Sequence, residues 1–192
     1  MARPHPPAPV KLFVGLLSGD PDLFRRARQL LGRAFGAVDC ESDHWPFDQT
    51  DYYAQEMGAG LQRCFLGFSP LISPDRLAEI KRTTNALEEQ IAADCLLPDI
   101  PRPVNIDPGY LDLTKLVLAT TKDRGHRIYL GAGIYAEVTL QYAHNVWQTL
   151  PWTYPDYTRP EYHAFFTQLR AQLHERRRAL DQMRDRPAPS PP

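Results

Sequence analysis

Apolar residues along this chain recur at two different periods, and the points where one period gives way to the other mark the predicted elements. Residues 10–17 form an apolar run with the length of a buried strand. Ser18-Gly19-Asp20-Pro21 then reads as a turn into a helix N-cap, with Pro21 at the first helical position. Leu23, Phe24, Ala27, Leu30, Leu31, Ala34 and Phe35 follow at helical spacing until Gly36 supplies a stop, which predicts an amphipathic helix of about four turns. Residues 37–41 and 63–68 read as strands, joined by a long aromatic and acidic connection over residues 44–60. Ser73-Pro74-Asp75 repeats the cap-then-proline signature, and Leu77, Ile80, Lys81, Thr84, Leu87, Glu88 and Ile91 mark one face of a second helix.

Beyond a proline-containing loop at 96–103, Val104-Asn105-Ile106 reads as a short strand ending in an Asp107-Pro108-Gly109 turn. Residues 113–121 fit both periods and are assigned as a strand. Residues 127–130 and 134–142 flank Gly131-Ala132-Gly133 and give the clearest hairpin signal, and a last helix is predicted over residues 161–183. This order predicts the α+β class: a single domain over residues 10–184, with a mostly antiparallel sheet, helices on one face, and a ferredoxin-like plan extended by a hairpin. The second sheet face is then open, dimerised or covered by loops. Residues 1–9 and 185–192 are proline-rich and are expected to be disordered tails.

Composition narrows the functional classes. Of the 192 residues 43% are hydrophobic and 23% charged, which suits one globular core. A formal net charge of −1 supplies no overall field toward nucleic acid, so an RNA-binding sheet bearing Tyr129 and Tyr135 is disfavoured, and Arg176-Arg177-Arg178 reads as a solvated helix face. No run of about 18 apolar residues occurs and residues 1–10 contain no apolar core of a signal peptide, so the expectation is a cytoplasmic protein without a membrane partner. Cys40, Cys64 and Cys95 are odd in number and far apart, and read as reduced packing residues.

Candidate chemistry sits in the polar connections. Pairing across the hairpin loop sets Leu130 opposite Ile134, Tyr129 opposite Tyr135, Ile128 opposite Ala136 and Arg127 opposite Glu137. One face then displays Arg127, Tyr129, Tyr135, Glu137 and Thr139, and binds anions if Lys115 or Lys122 comes near. The plainer reading is a cross-strand ion pair on a solvated sheet. Asp48 and Asp51, held among rings such as Tyr52, could act as general acid or base, or simply cap a helix. Asn105 and Asp107 offer hard oxygen ligands to a metal or a sugar hydroxyl, although the turn alone accounts for Asp-Pro-Gly. His126 lies in a basic stretch that could meet a phosphate, or is part of a plain connecting loop. No histidine or cysteine pairing has zinc spacing, so no metal site is assigned, and no P-loop, Gly-x-Gly-x-x-Gly or Gly-x-Ser-x-Gly is present.

Several of these stretches occur together in one known family. Val10-Lys11-Leu12-Phe13-Val14-Gly15, Phe47-Asp48-Gln49-Thr50-Asp51-Tyr52-Tyr53, Glu56-Met57-Gly58, residues 104–110 and residues 116–137 resemble the bacterial family catalogued as domain of unknown function 4416. The resemblance spans about residues 9–166 and implies a compact cytoplasmic protein. Some members carry a GTP-binding label, which no P-loop in this chain supports.

Two classes of function follow. The first is a protein that binds or acts on a small anionic ligand such as a nucleotide or phosphate ester, held by Lys115, Lys122, Arg127, Tyr52, Asn105 and Asp107, with Asp48, Asp51, His126 and Glu137 as catalytic candidates. No cofactor is specified. The second is a non-enzymatic interaction module or homodimeric scaffold that uses the aromatic residues of 45–53 and 152–157 as its surface.

Overall fold

The computed structural model describes residues 3–48, 54–95 and 100–184. In chain order these form β1 (Val10–Ser18), α1 (Pro21–Phe35), β2 (Val38–Glu41), β3 (Trp45–Pro46), α2 (Ala54–Met57), β4 (Gln62–Ile72), α3 (Leu77–Cys95), β5 (Asn105–Leu111), β6 (Lys115–Thr120), β7 (Ile128–Gly131), β8 (Ile134–Ala143), β9 (Val146–Thr149) and α4 (Pro160–Arg184). The strands join one nine-stranded sheet in the order β2-β4-β1-β5-β6-β8-β7, with β3 added to β4 and β9 to β8. Every pairing is antiparallel.

The two faces of β1 explain its unbroken apolar run. Val10, Leu12, Val14 and Leu16 pack with Leu23, Phe24, Ala27 and Leu31 of α1 and Ile80 and Ile91 of α3, so these two helices share one face as the pattern predicts. Phe13, on the alternate face, packs with Phe65 of β4 and with Phe165, Phe166, Leu169 and Leu173 of α4. The second face is therefore closed by α4 rather than left open. A strand covered on both sides has no solvated positions to alternate with. Even Lys11 is fully buried there, its ammonium donating to both Asp39 oxygens at 2.6 and 2.7 Å.

Helix α1 begins as its sequence dictates, with the Asp20 carboxylate accepting from the Asp22 N–H at 2.8 Å and proline in the first turn. The second cap signature behaves differently: Ser73 makes no side-chain cap bond, and Pro74–Arg76 forms a 3-10 turn that leads into α3. The long connection contains β3 and α2, which its length concealed. A ninth strand also went unread, because His144 and Asn145 form its hairpin turn with φ of 53° and 63° in place of the glycines expected there.

Two local readings are corrected. Asp107-Pro108-Gly109 is no turn; it lies inside β5, with Asp107 opposite Gly15, Pro108 opposite Val14 and Gly109 opposite Phe13. The glycine is there for close approach, since a Cβ would stand 2.5 Å from the Val117 carbonyl oxygen and 2.6 Å from the Phe13 ring. Pro108 interrupts no bond between β5 and β6, because those strands pair only from Gly109 to Leu111. In the hairpin, Tyr129 faces Tyr135 and Ile128 faces Ala136 as expected, but Ile134 pairs with Gly131 instead of Leu130 across a register shift.

Candidate functional site

The early separation of β5 from β6 creates a cleft. Their pairing ends at Gly109 and Leu118, while β6 continues along β8 to Thr120. Past that point the two strands part, and a cleft of about 790 Å³ opens between Asn105 and Asp107 on one side and residues 118–122 on the other. Helix α3 contributes Lys81, Asn85, Glu88 and Glu89, β4 contributes Arg63, and the 3-10 turn Pro155–Thr158 contributes Asp156 and Tyr157.

Arg63 is the innermost cation, with a relative exposure of 4%. Its Nη2 lies 3.5 Å from an Asp156 oxygen and its Nη1 4.0 Å from an Asp107 oxygen, and the guanidinium stands over the Phe47 ring at 5.1 Å. Among the described residues Nε and Nη1 have no partner at ordinary hydrogen-bond distance, and the Tyr162 hydroxyl lies beside the guanidinium. Burial opposes its charge, but Asp156, Tyr157 and Asp107 outweigh that cost and hold the guanidinium firmly protonated.

The two carboxylates beside it are driven apart. Burial pushes Asp107 up, yet Lys81, Arg63 and the Asn105 amide prevail and hold it below the usual carboxylate range. Lys81 donates to Asp107 at 3.1 Å and to the Ile106 carbonyl, and Asn105 Nδ2 donates to Asp107 at 2.5 Å. Asp156 is pushed up by burial, which Arg63 only partly offsets. Glu88 is likewise raised by burial against Lys81 and Arg102, while it accepts from Arg102 at 2.9 Å and from the Ile106 N–H at 2.7 Å. The Asp107 and Asp156 carboxyls are thus shifted in opposite directions by their surroundings.

These shifts carry opposite pH signatures. Asp107, depressed in the fold, contributes stability that is present above its ordinary value near 3.8 and is lost as pH falls through its folded value. Asp156, raised in the fold, contributes stability that is present below 3.8 and is lost as pH rises through its folded value. Urea melts between neutral pH and about pH 3 check this. Asp107→Asn is expected to lose less stability on acidification than the wild type, and Asp156→Asn to lose more.

The outer wall is built on Glu137, 1% exposed. One of its oxygens accepts from Arg127 Nε at 2.8 Å and lies 3.1 Å from His126 Nε2, and Thr139 Oγ1 donates to the other at 3.3 Å. Arg127 also donates to the Lys122 carbonyl at 2.8 Å and to the Tyr154 hydroxyl at 2.7 Å. The His126 ring stacks on Trp152, with centroids 5.0 Å apart and planes 10° from parallel. A solvated cross-strand pair is thereby replaced by a buried one, because the loop carrying Trp152 and Tyr154 folds over this end of the hairpin.

The model of a family described as a domain of unknown function, DUF4416, matches residues 8–173, which takes in the whole sheet and the apolar part of α4. The chain belongs to this family. No curated protein and no solved structure matches it. Among the described residues of this DUF4416 member, no helix is long and apolar enough to cross a membrane.

Of the candidate residues read from the DUF4416 chain, Asn105, Asp107, Lys122, Arg127 and Glu137 line the cleft, and His126 reaches it through Glu137. Lys115 does not join them. It stands at the far end of β6, bonded to Asp112 at 2.5 Å, roughly 17 Å of strand from Thr120. Asp48 is exposed and off the cleft wall, while Asp51 and Tyr52 lie outside the described residues. Sequence reasoning missed Arg63, Arg102 and Asp156 altogether. Lys81 and Glu88 had a usable signal: both sit on the stripe of α3 that Leu77, Ile80 and Ile91 mark as inward-facing.

Proposed function

We propose that the cleft binds a small anionic ligand of the nucleotide or phosphate-ester class. The observation that carries this reading is Arg63: a buried guanidinium lining the cleft with two nitrogens unpaired among the described residues. Such nitrogens are costly to leave unpaired, and the positive charge they carry favours an anion entering the cleft beside them. Lys122, Arg124 and Arg127 line the opposite wall, so an anion that reaches Arg63 passes between cations. The acids nearby support the same reading, since Lys81 neutralises Asp107 and Arg102 neutralises Glu88. Asp156, beside Arg63 and with its carboxyl pushed up by burial, stands at the cleft as the candidate acid in place of Asp48 or Asp51.

Of the aromatic surface that the interaction-module reading uses, Trp152 and Tyr154 are exposed, residues 49–53 lie outside the described residues, and two rings are packed inward. Trp45 packs on Tyr162 with ring centroids 5.0 Å apart, and Tyr157 is buried against Phe65 and Phe166. Calorimetric titration of the full chain with inorganic pyrophosphate and with mononucleotides, with and without Mg²⁺, tests the proposal. The wild type is expected to bind at least one of these anions, and Arg124→Glu, an exposed reversal on the cleft rim, to weaken it by about tenfold or more. Equal affinity in both proteins, or no binding by the wild type, overturns it.

A further inference from the structure

A second constellation lies on the α1 side of the sheet, away from the cleft. β2 and β3 both pair with β4, with Glu41 opposite Leu66 and Trp45 opposite Arg63, so the link between them passes over Cys64 and Phe65. That link is anchored at both ends of one residue: the Ser42 N–H donates to the Phe65 carbonyl at 2.9 Å, and its Oγ accepts from the Phe65 N–H at 2.9 Å. The result brings Glu41, His44 and Cys64 together, with one carboxylate oxygen, one imidazole nitrogen and one sulfur all within 4.8 Å of one another.

We propose that Glu41, His44 and Cys64 form a zinc-binding site with solvent at its fourth position. A thiolate, an imidazole and a carboxylate make the mixed soft and borderline donor set that suits Zn²⁺ and not the all-oxygen shells of Mg²⁺ or Ca²⁺. Two negative ligands balance the metal's charge. Glu41 and His44 are exposed while Cys64 is buried, so the sulfur forms the floor and the open coordination position faces water.

The surroundings orient each ligand without occupying it. Arg28 of α1 donates to one Glu41 oxygen at 2.8 Å, a hydrogen bond of the kind that holds ligating carboxylates in place. The His44 ring meets the Phe24 ring edge-on at a centroid distance of 4.4 Å, which limits its rotation. Cys64 Sγ has only long contacts, 3.9 Å to the Ser42 carbonyl and 3.8 Å to the Phe65 carbonyl. Forming the Zn–S bond breaks the S–H bond, and the proton passes to solvent. Binding is therefore coupled to proton release and weakens as pH falls. Sequence spacing hid this group, since its members come from three segments in no zinc-finger pattern.

The test uses the full chain stripped with a chelator, Co²⁺ as spectroscopic probe and Zn²⁺ as competitor. Expected is one Co²⁺ per chain with a thiolate-to-metal charge-transfer band in the near ultraviolet, abolished by Zn²⁺. Cys64→Ser should lose that band, His44→Ala should weaken Zn²⁺ by about tenfold or more, and Cys40→Ser should retain both properties. Because His44 is exposed, its variant decides the matter even if Cys64→Ser fails to fold. A spectrum without the charge-transfer band, or Zn²⁺ affinity unchanged in His44→Ala, overturns the site.

Discussion

Glu137→Ala should destabilise the protein by about 3–5 kcal/mol, among the largest losses available to a single side chain here. Glu137 is buried and engages Arg127, His126 and Thr139 together, and the Arg127 side chain is itself only 6% exposed. Removing the carboxylate leaves an uncompensated guanidinium in a poorly hydrated position, and the cost of that stranded charge exceeds what the pair gained by forming. Glu137→Gln keeps an acceptor for Arg127 and should cost less. Arg127→Met combined with Glu137→Met should recover much of the loss, because both charges then go together. Urea unfolding of the four proteins gives the comparison, and a single alanine variant within about 0.5 kcal/mol of wild type would show that the pair is better hydrated than the fold implies.

Phe65→Ala should cost a similar amount, about 3–5 kcal/mol, for a different reason. Phe65 is fully buried at the centre of the α4 face and meets the rings of Phe13, Tyr157, Tyr162, Phe165 and Phe166. Deleting it leaves a cavity walled by rigid rings on the sheet and on α4, so the neighbours have little freedom to collapse inward. The loss should appear in the denaturation midpoint with little change in slope, as expected when the fold persists but its core is less complete. Because Arg63 lies two residues along the same face of β4, this core also sets the floor of the cleft.

Much of the fold could be read from local rules because those rules and the tertiary contacts agree. The apolar run of β1, the cap and proline that open α1, and the glycines of the β7–β8 hairpin each specify a conformation that the surrounding packing also requires. Asp107-Pro108-Gly109 fails for the opposite reason. Its residues favour a turn locally, but pairing with β1 and the need for Phe13 to approach Gly109 hold them extended. The covering of the second sheet face by α4 is equally nonlocal, since a helix of 25 residues reveals its period in sequence but not its partner.

The candidate site was half legible. Asn105, Asp107, Lys122, Arg127 and Glu137 stand in polar stretches that invite a functional reading, and they reach the cleft from β5, β6 and the hairpin. Lys115 belongs to the same strand as the cleft wall but to its wrong end, a distinction that depends on where β5 and β6 part. Arg63 opens an apolar strand and looks like its solvent-facing boundary. Only the arrival of Asp156 from a turn 93 residues later shows that it is buried and charged by design.

The most direct test of the cleft as an anion site is a thermal-shift series on wild type and Arg63→Met, with a panel of nucleotides, sugar phosphates and inorganic pyrophosphate, each with and without Mg²⁺. A ligand that binds only the native state raises stability by about 2.7 kcal/mol at a hundredfold excess over Kd. The account predicts that at least one of these anions raises the wild-type Tm while Arg63→Met unfolds cooperatively at the same temperature with or without it. An equal rise in both proteins, or no rise in the wild type with any anion, would contradict it.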